Sequence, residues 1–224
     1  MKKSNSEIIK RLSFVAAFSA ITCVLYIFLK FNLPIFPSFL DINLSMIPVI
    51  IAAFMLGPLD AAIILVIRWL IKLPMSSTGY VGELADLLIG LASALPASFI
   101  YHKCSFKGKT AVAFISVVVC WVLMGVISNI FINIPWYNKF YFKQDYYKDG
   151  VSEVLLGMCT DGFRLITFGH APTVTNNNFM LYYIVLGVIP FNLFLSLIVV
   201  IFTSLVHKRL KSLYDMIGRK EKAE

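Results

Sequence analysis

Six apolar segments constrain what this chain can fold into. They cover residues 13–29, 44–56, 61–73, 84–101, 111–134 and 180–206. A transmembrane helix needs about 20 predominantly apolar residues, and a shorter segment suffices where neighbouring helices shield its ends. The sequence therefore predicts an all-α membrane protein with six transmembrane helices in one bundle.

The composition leaves little chain for anything else. Of the 224 residues, 59% are apolar and 14% are charged, against about 45–50% and 25% in soluble proteins. The polar stretches between the apolar segments are too short for a separate soluble domain. We interpret residues 1–224 as a single integral membrane domain with short cytoplasmic tails at about 1–11 and 208–224.

The basic residues indicate the orientation, because cytoplasmic loops are enriched in Lys and Arg. They concentrate before residue 12, at 103–109 and beyond 207, which lie on one side of a six-helix arrangement. Both termini are therefore expected in the cytoplasm, with the protein in the cell membrane. This topology explains the net charge of +8 without a nucleic-acid partner. The two short segments flank Gly57-Pro58, a helix breaker, and are expected to form a hairpin.

Three segments fall on the outer side, at 30–43, 74–82 and 135–179. They are rich in aromatic residues or in glycine. Aromatic residues there suit a belt at the membrane interface. The alternative is that some of these rings close over a ligand.

Ionisable residues inside predicted spans are costly and mark functional sites by default. Those singled out here are Arg68, Asp86 and, at the first turn of the fourth span, Glu83. Glu83 could cap a helix and Asp86 could pair with Arg68, or the group could bind a ligand. No nucleophile elbow or water-activating metal ligands accompany the carboxylates, and the four cysteines have no zinc-site spacing. We expect neither an enzyme nor a metal site.

Buried amides point more directly to a ligand. Asn129 and Asn133 lie four residues apart on one helix, and Asn192 follows Pro190-Phe191 in the last one. A buried Asn must satisfy a donor and an acceptor, so these residues could simply join helices. Their convergence with Arg68 and Glu83 near the outer side favours a pocket for a polar heteroaromatic ligand.

Two further features concern partners. Ala16 and Ala20 form a small-residue stripe on the first helix, which allows another helix to approach closely. The chain contains no GxxxxGK[ST] loop, so it does not hydrolyse nucleotides through a P-loop, and energy for any active transport must come from elsewhere.

Several segments together resemble one known family. They are Ile35 to Leu40, Ile47-Pro48 through Gly57-Pro58-Leu59, Gly82-Glu83-Leu84-Ala85, and Ile189-Pro190-Phe191-Asn192. In this order, over about residues 11–213, the chain is similar to riboflavin-specific substrate-binding subunits of energy-coupling-factor (ECF) vitamin transporters.

The resemblance implies a six-helix subunit without enzymatic activity or cofactor, which binds a vitamin under a lid between the first two helices. It implies a membrane coupling subunit and two cytoplasmic ATPases as partners, with Ala16 and Ala20 at the interface. Flavin contacts carry over to Asn129 and Asn192, and the lid to Phe39–Asn43. The predicted substrate-binding residues are Phe39, Leu40, Asp41, Asn43, Arg68, Tyr80, Glu83, Asp86, Asn129, Asn133 and Asn192.

The chain departs from the flavin pattern at several positions. Met46 stands where an acidic residue precedes Ile-Pro, Leu195 stands where a lysine commonly follows Pro-Phe-Asn, and Asp86 replaces an Asn. Another small heterocyclic vitamin or precursor is therefore an alternative ligand. A membrane scaffold or an intramembrane enzyme is a more distant alternative.

Overall fold

A computed structural model describes residues 5–33, 35–36, 40–170 and 173–220. The helices are α1 (Asn5–Phe28), α2 (Met46–Met55), α3 (Pro58–Lys72), α4 (Val81–Lys103), α5 (Lys109–Ser128), α6 (Ile134–Phe142), α7 (Tyr146–Asp149), α8 (Glu153–Ile166), α9 (Phe179–Tyr182) and α10 (Ile189–Lys220). The described residues also contain two short strands, β1 (Lys30–Phe31) and β2 (Ile42–Asn43).

Each of the six predicted apolar segments is helical in the structure. Among the described residues, four helical stretches are long and apolar enough to cross a membrane: Asn5–Phe28, Val81–Lys103, Lys109–Phe142 and Phe179–Leu210. The second and third predicted spans correspond to α2 and α3, of 10 and 15 residues. The chain is a multi-pass, all-α membrane protein.

Helix α2 forms the centre of the bundle. Nine of its ten residues are buried, because α1, α3, α4 and α10 all pack against it. The chain reverses into α3 at Gly57, whose φ of 111° favours glycine, and Pro58 begins the new helix. Arg11 Nε lies 2.6 Å from Asp60 Oδ2 and ties α1 to the first turn of α3.

Two π-helical turns lie in the long helices. Asn129–Asn133 joins α5 to α6, and Tyr183–Val188 joins α9 to α10. Such turns are frequently found at functional sites. Here the two turns face each other, since the Tyr183 hydroxyl donates a hydrogen bond to Asn129 Oδ1 at a distance of 2.6 Å.

The outer segment at 135–179 contains helices that the apolar pattern did not predict. The Ser152 side chain caps α8 by accepting from the Leu155 backbone N–H. The buried face of α8 carries Leu155, Cys159 and Phe163, which join a small second core with Phe179 and Tyr183. Burial raises the pKa of the Cys159 thiol to about 12, so this cysteine stays protonated in the packed helix.

The loop between α1 and α2 is closed at its base by an antiparallel ladder. Lys30 pairs with Asn43 and Phe31 with Ile42, and Lys30 Nζ lies 2.9 Å from Asp41 Oδ2. The ring of Phe36 packs edge-on against Phe191 of α10, with centroids 5.2 Å apart. The loop therefore lies over the N-terminal end of α10.

Candidate functional site

A chamber opens beneath this loop, between α1, α3, α4, α5 and α10. Its volume is about 120 Å³, and an adjoining vestibule of about 580 Å³ continues from it. The two cavities share Lys30, Asp41, Ser77, Thr78 and Tyr137 in their linings. They therefore form one continuous cleft beneath the α1–α2 loop.

Asn192 lines the chamber from α10 and is held by α5. Its Oδ1 accepts from Trp121 Nε1 at 3.1 Å, and its Nδ2 donates to the Val188 carbonyl at 2.8 Å. Gly125 makes this approach feasible, since a Cβ there would lie 2.7 Å from Asn192 Cγ. The amide retains one N–H and one lone pair for a ligand.

Asn129 and Asn133 line the chamber from the π turn of α5–α6. Asn129 Nδ2 donates to the Gly125 carbonyl, and its Oδ1 accepts from Tyr183 and from Asn133 Nδ2. Asn133 Oδ1 is buried and has no hydrogen-bond partner among the described residues. An unpaired buried acceptor is costly, so this oxygen is suited to accept from a ligand N–H or O–H.

Arg68 supports the chamber wall from behind. It is 2% exposed, and its guanidinium lies 4.6 Å from the Tyr26 ring centroid. Nη1 donates to Ser45 Oγ at 2.7 Å, and Ser45 Oγ donates to Asn43 Oδ1 at 2.6 Å. Nη2 donates to the Asp86 carbonyl and lies 3.8 Å from Asp86 Oδ2. Arg68 thus joins the base of the α1–α2 loop to α4.

Glu83 organises the loop before α4. Its Oε2 accepts from Ser76 Oγ and from Thr78 Oγ1, both at 2.7 Å. The carboxylate also lies in the first turn of α4, where the helix dipole favours negative charge. Since Thr78 and Glu83 both line the chamber, this network fixes one side of its mouth.

A family model described as "ECF transporter, substrate-specific component" matches residues 10–207, most of the chain. The chain belongs to this family. It is therefore a substrate-specific (S) component, and this family consists of transporter components rather than enzymes.

Two relatives match this S component over nearly their whole length. The riboflavin transporter RibU of Staphylococcus aureus (strain TCH60) is 27% identical over 217 residues, which cover 96% of this chain and 98% of the relative. The riboflavin transporter FmnP of Bacillus subtilis (strain 168) is 26% identical over 208 residues, 91% and 93% of the two chains.

The fold has a solved counterpart. A structure described as the S component of a bacterial ECF transporter superposes with a TM-score of 0.63. The superposition covers 91% of this chain and 96% of that one at 24% identity. This likeness concerns the fold alone.

The chamber of the S component brings together most of the residues singled out in the sequence. Those in its lining are Leu40, Asp41, Asn43, Glu83, Asp86, Asn129, Asn133 and Asn192. Arg68 lies behind the wall instead. Tyr80 does not belong to the lining: it precedes α4 with a φ of 71° and is 61% exposed. Phe39 lies outside the described residues.

The sequence-based list of binding residues omitted several that line the chamber: Tyr26, Lys30, Lys72, Ile89, Trp121 and Tyr137. Phe191 and Leu195, which also line it, were noted only as positions of the Pro-Phe-Asn motif and of a departure from the flavin pattern. Aromatic and aliphatic residues in membrane helices look like ordinary packing residues. Lys30 and Lys72 stand at the ends of predicted spans, where a lysine also fits a topology-determining role.

Proposed function

We propose that this S component captures riboflavin or a closely related flavin at the outer face of the cell membrane. In this proposal the ligand is passed inward with energy from partner ATPases. The observation that carries it is the convergence of Asn129, Asn133 and Asn192 on one chamber beneath the α1–α2 loop. The relatives named riboflavin transporters, aligned over more than nine-tenths of both chains, support the flavin in particular.

The chemistry of a flavin suits this cleft. Its fused rings present flat apolar faces, and the lining offers Trp121, Phe191 and Tyr26. Its imide edge carries an N–H between two carbonyls, which matches an amide-rich wall with a free acceptor on Asn133. Ligand pockets commonly measure about 300–1,000 Å³. The chamber alone is smaller than that, so the ligand would extend into the vestibule.

Thermal unfolding with a panel of vitamins tests the choice of ligand. A ligand that binds only the folded state stabilises it by RT ln(1 + [L]/Kd). We expect riboflavin to give the largest rise in Tm at equal concentration. A larger rise with a different vitamin would contradict the flavin assignment.

A second candidate is another small heterocyclic vitamin or precursor. Two apolar residues favour it, since Leu195 lines the chamber and Met46 is buried at the start of α2. Both stand where the flavin pattern has an ionisable residue. The same panel distinguishes the two candidates.

We further propose that α2 and α3 each cross the membrane. This gives six transmembrane spans, with both termini in the cytoplasm. The complete transporter would include a membrane coupling subunit and two ATPases. Ala16 and Ala20 support this, because both are exposed on α1 and their small side chains suit close helix packing.

A further inference from the structure

Lys72 is a buried cation in the wall of the chamber. It ends α3, is 9% exposed, and belongs to the chamber lining. Its Nζ lies 5.7 Å from the centroid of the Tyr26 ring. Within the described part of the chain its Nζ makes no hydrogen bond or ion pair, and it lies over the face of the Tyr26 ring.

The other charged groups of the chamber all have partners. Lys30 and Asp41 pair with each other at 2.9 Å. Asp86 lies 3.8 Å from Arg68, and Glu83 accepts from two hydroxyl groups. The carboxylates in the lining are therefore engaged with groups other than Lys72.

The Lys72 side chain is largely enclosed by the chamber wall, and its Nζ keeps some access to solvent from the chamber. Removing an ammonium group from water is costly unless an anion or several acceptors replace the water. The contact with Tyr26 offsets a part of this cost. Because Lys carries three donors and no acceptor, a group rich in lone pairs or negative charge would complete its coordination.

We propose that Lys72 determines ligand specificity by donating a charge-assisted hydrogen bond to an electron-rich acceptor on the bound ligand. This inference rests on the proposed flavin function, since the flavin pyrimidine edge carries carbonyl oxygens and ring nitrogens that can accept. Hydrogen bonds from an ammonium group are stronger than neutral ones. The chamber thereby favours heterocycles with an exposed acceptor over equally flat apolar rings.

The test compares Lys72→Met with Lys72→Arg by calorimetric titration of the detergent-purified protein with riboflavin. We expect Lys72→Met to raise the Kd at least 10-fold and Lys72→Arg to recover a part of the affinity. Lys139→Met is the matched control, because Lys139 is an exposed lysine on α6 outside both cavities. Its Kd should equal that of the wild type.

The Tm of the ligand-free protein separates binding from structure. Removal of an unpaired buried charge should leave this Tm unchanged or raise it, although the affinity falls. The inference is overturned if Lys72→Met binds riboflavin as tightly as the wild type. It is also overturned if the weaker binding comes with a lower Tm of the ligand-free variant. In both cases the proposed function stands. A wild type that binds no riboflavin overturns both.

Discussion

Asn192 combines structural hydrogen bonds with a proposed ligand contact in one side chain. Its amide bonds to Trp121 and Val188 and also faces the chamber. We expect Asn192→Ala to weaken riboflavin binding by about 1–3 kcal/mol, the usual cost of losing a buried hydrogen-bond partner. Calorimetric titration of the purified variant measures this loss.

Trp121→Phe serves as the control for that prediction. It removes the indole N–H that donates to Asn192 Oδ1, but it leaves the amide and an aromatic ring at position 121 in the chamber lining. A smaller loss than in Asn192→Ala is expected, since a direct ligand contact remains. Equal losses would show that Asn192 acts only by holding Trp121, and unchanged affinity in Asn192→Ala would exclude a ligand contact.

Polar and charged residues within apolar segments could be identified from the sequence, because burying them in a membrane costs free energy. Glu83, Asp86, Asn129, Asn133 and Asn192 stood out because polar groups in apolar segments need partners. The sequence left open whether Asp86 pairs with Arg68, and the structure contains that pair. The sequence alone could not show whether Lys72 lines the chamber or only marks the end of a span, because the two cases differ in how deeply the side chain is buried.

At the scale of elements, α8 packs directly on the α1–α2 loop. A Cβ added to Gly162 would lie 3.1 Å from the Ile35 carbonyl oxygen, closer than most real contacts. We expect Gly162→Ala to push the loop outward and destabilise its closed position by about 1 kcal/mol, the lower end of overpacking costs. Riboflavin release, measured by stopped-flow fluorescence, should then be roughly fivefold faster.

Gly157→Ala is the matched control on the same helix. A Cβ there meets no atom within 4 Å, and both substitutions raise helix propensity by about 1 kcal/mol. Release from Gly157→Ala should match the wild type. Equal release rates in Gly162→Ala and Gly157→Ala would contradict a coupling between α8 and the loop.

The elements themselves were only partly predictable. Apolar length and the Gly57-Pro58 break predicted six helical segments, and all six are present. Helix α8 was missed because it is amphipathic and only 14 residues long, so it lacks a membrane-like apolar run. The π turns were also missed, since their register depends on packing between Tyr183 and Asn129.

At the scale of the whole molecule, the exposed face of α1 is the proposed contact with the coupling subunit. Ala16 and Ala20 are exposed there. We expect Ala16→Trp and Ala20→Trp to abolish co-purification with an ATP-hydrolysing complex, because an indole prevents close helix approach. Riboflavin affinity should be unchanged, since neither residue lines the chamber.

Ile115→Trp is the corresponding control. Ile115 is 61% exposed on α5, so the added ring faces outward as in the α1 variants. This variant should retain the complex. Retention of the complex by all three variants would place the interface elsewhere, and loss in all three would indicate a general effect of a bulky surface residue.

Flavin binding in the chamber is tested most directly by the absorbance spectrum of the protein purified from flavin-containing medium. We predict a yellow protein with equimolar flavin that rebinds riboflavin in calorimetry after removal of the ligand. A colourless protein that gives no heat with riboflavin or its nucleotides would contradict the claim.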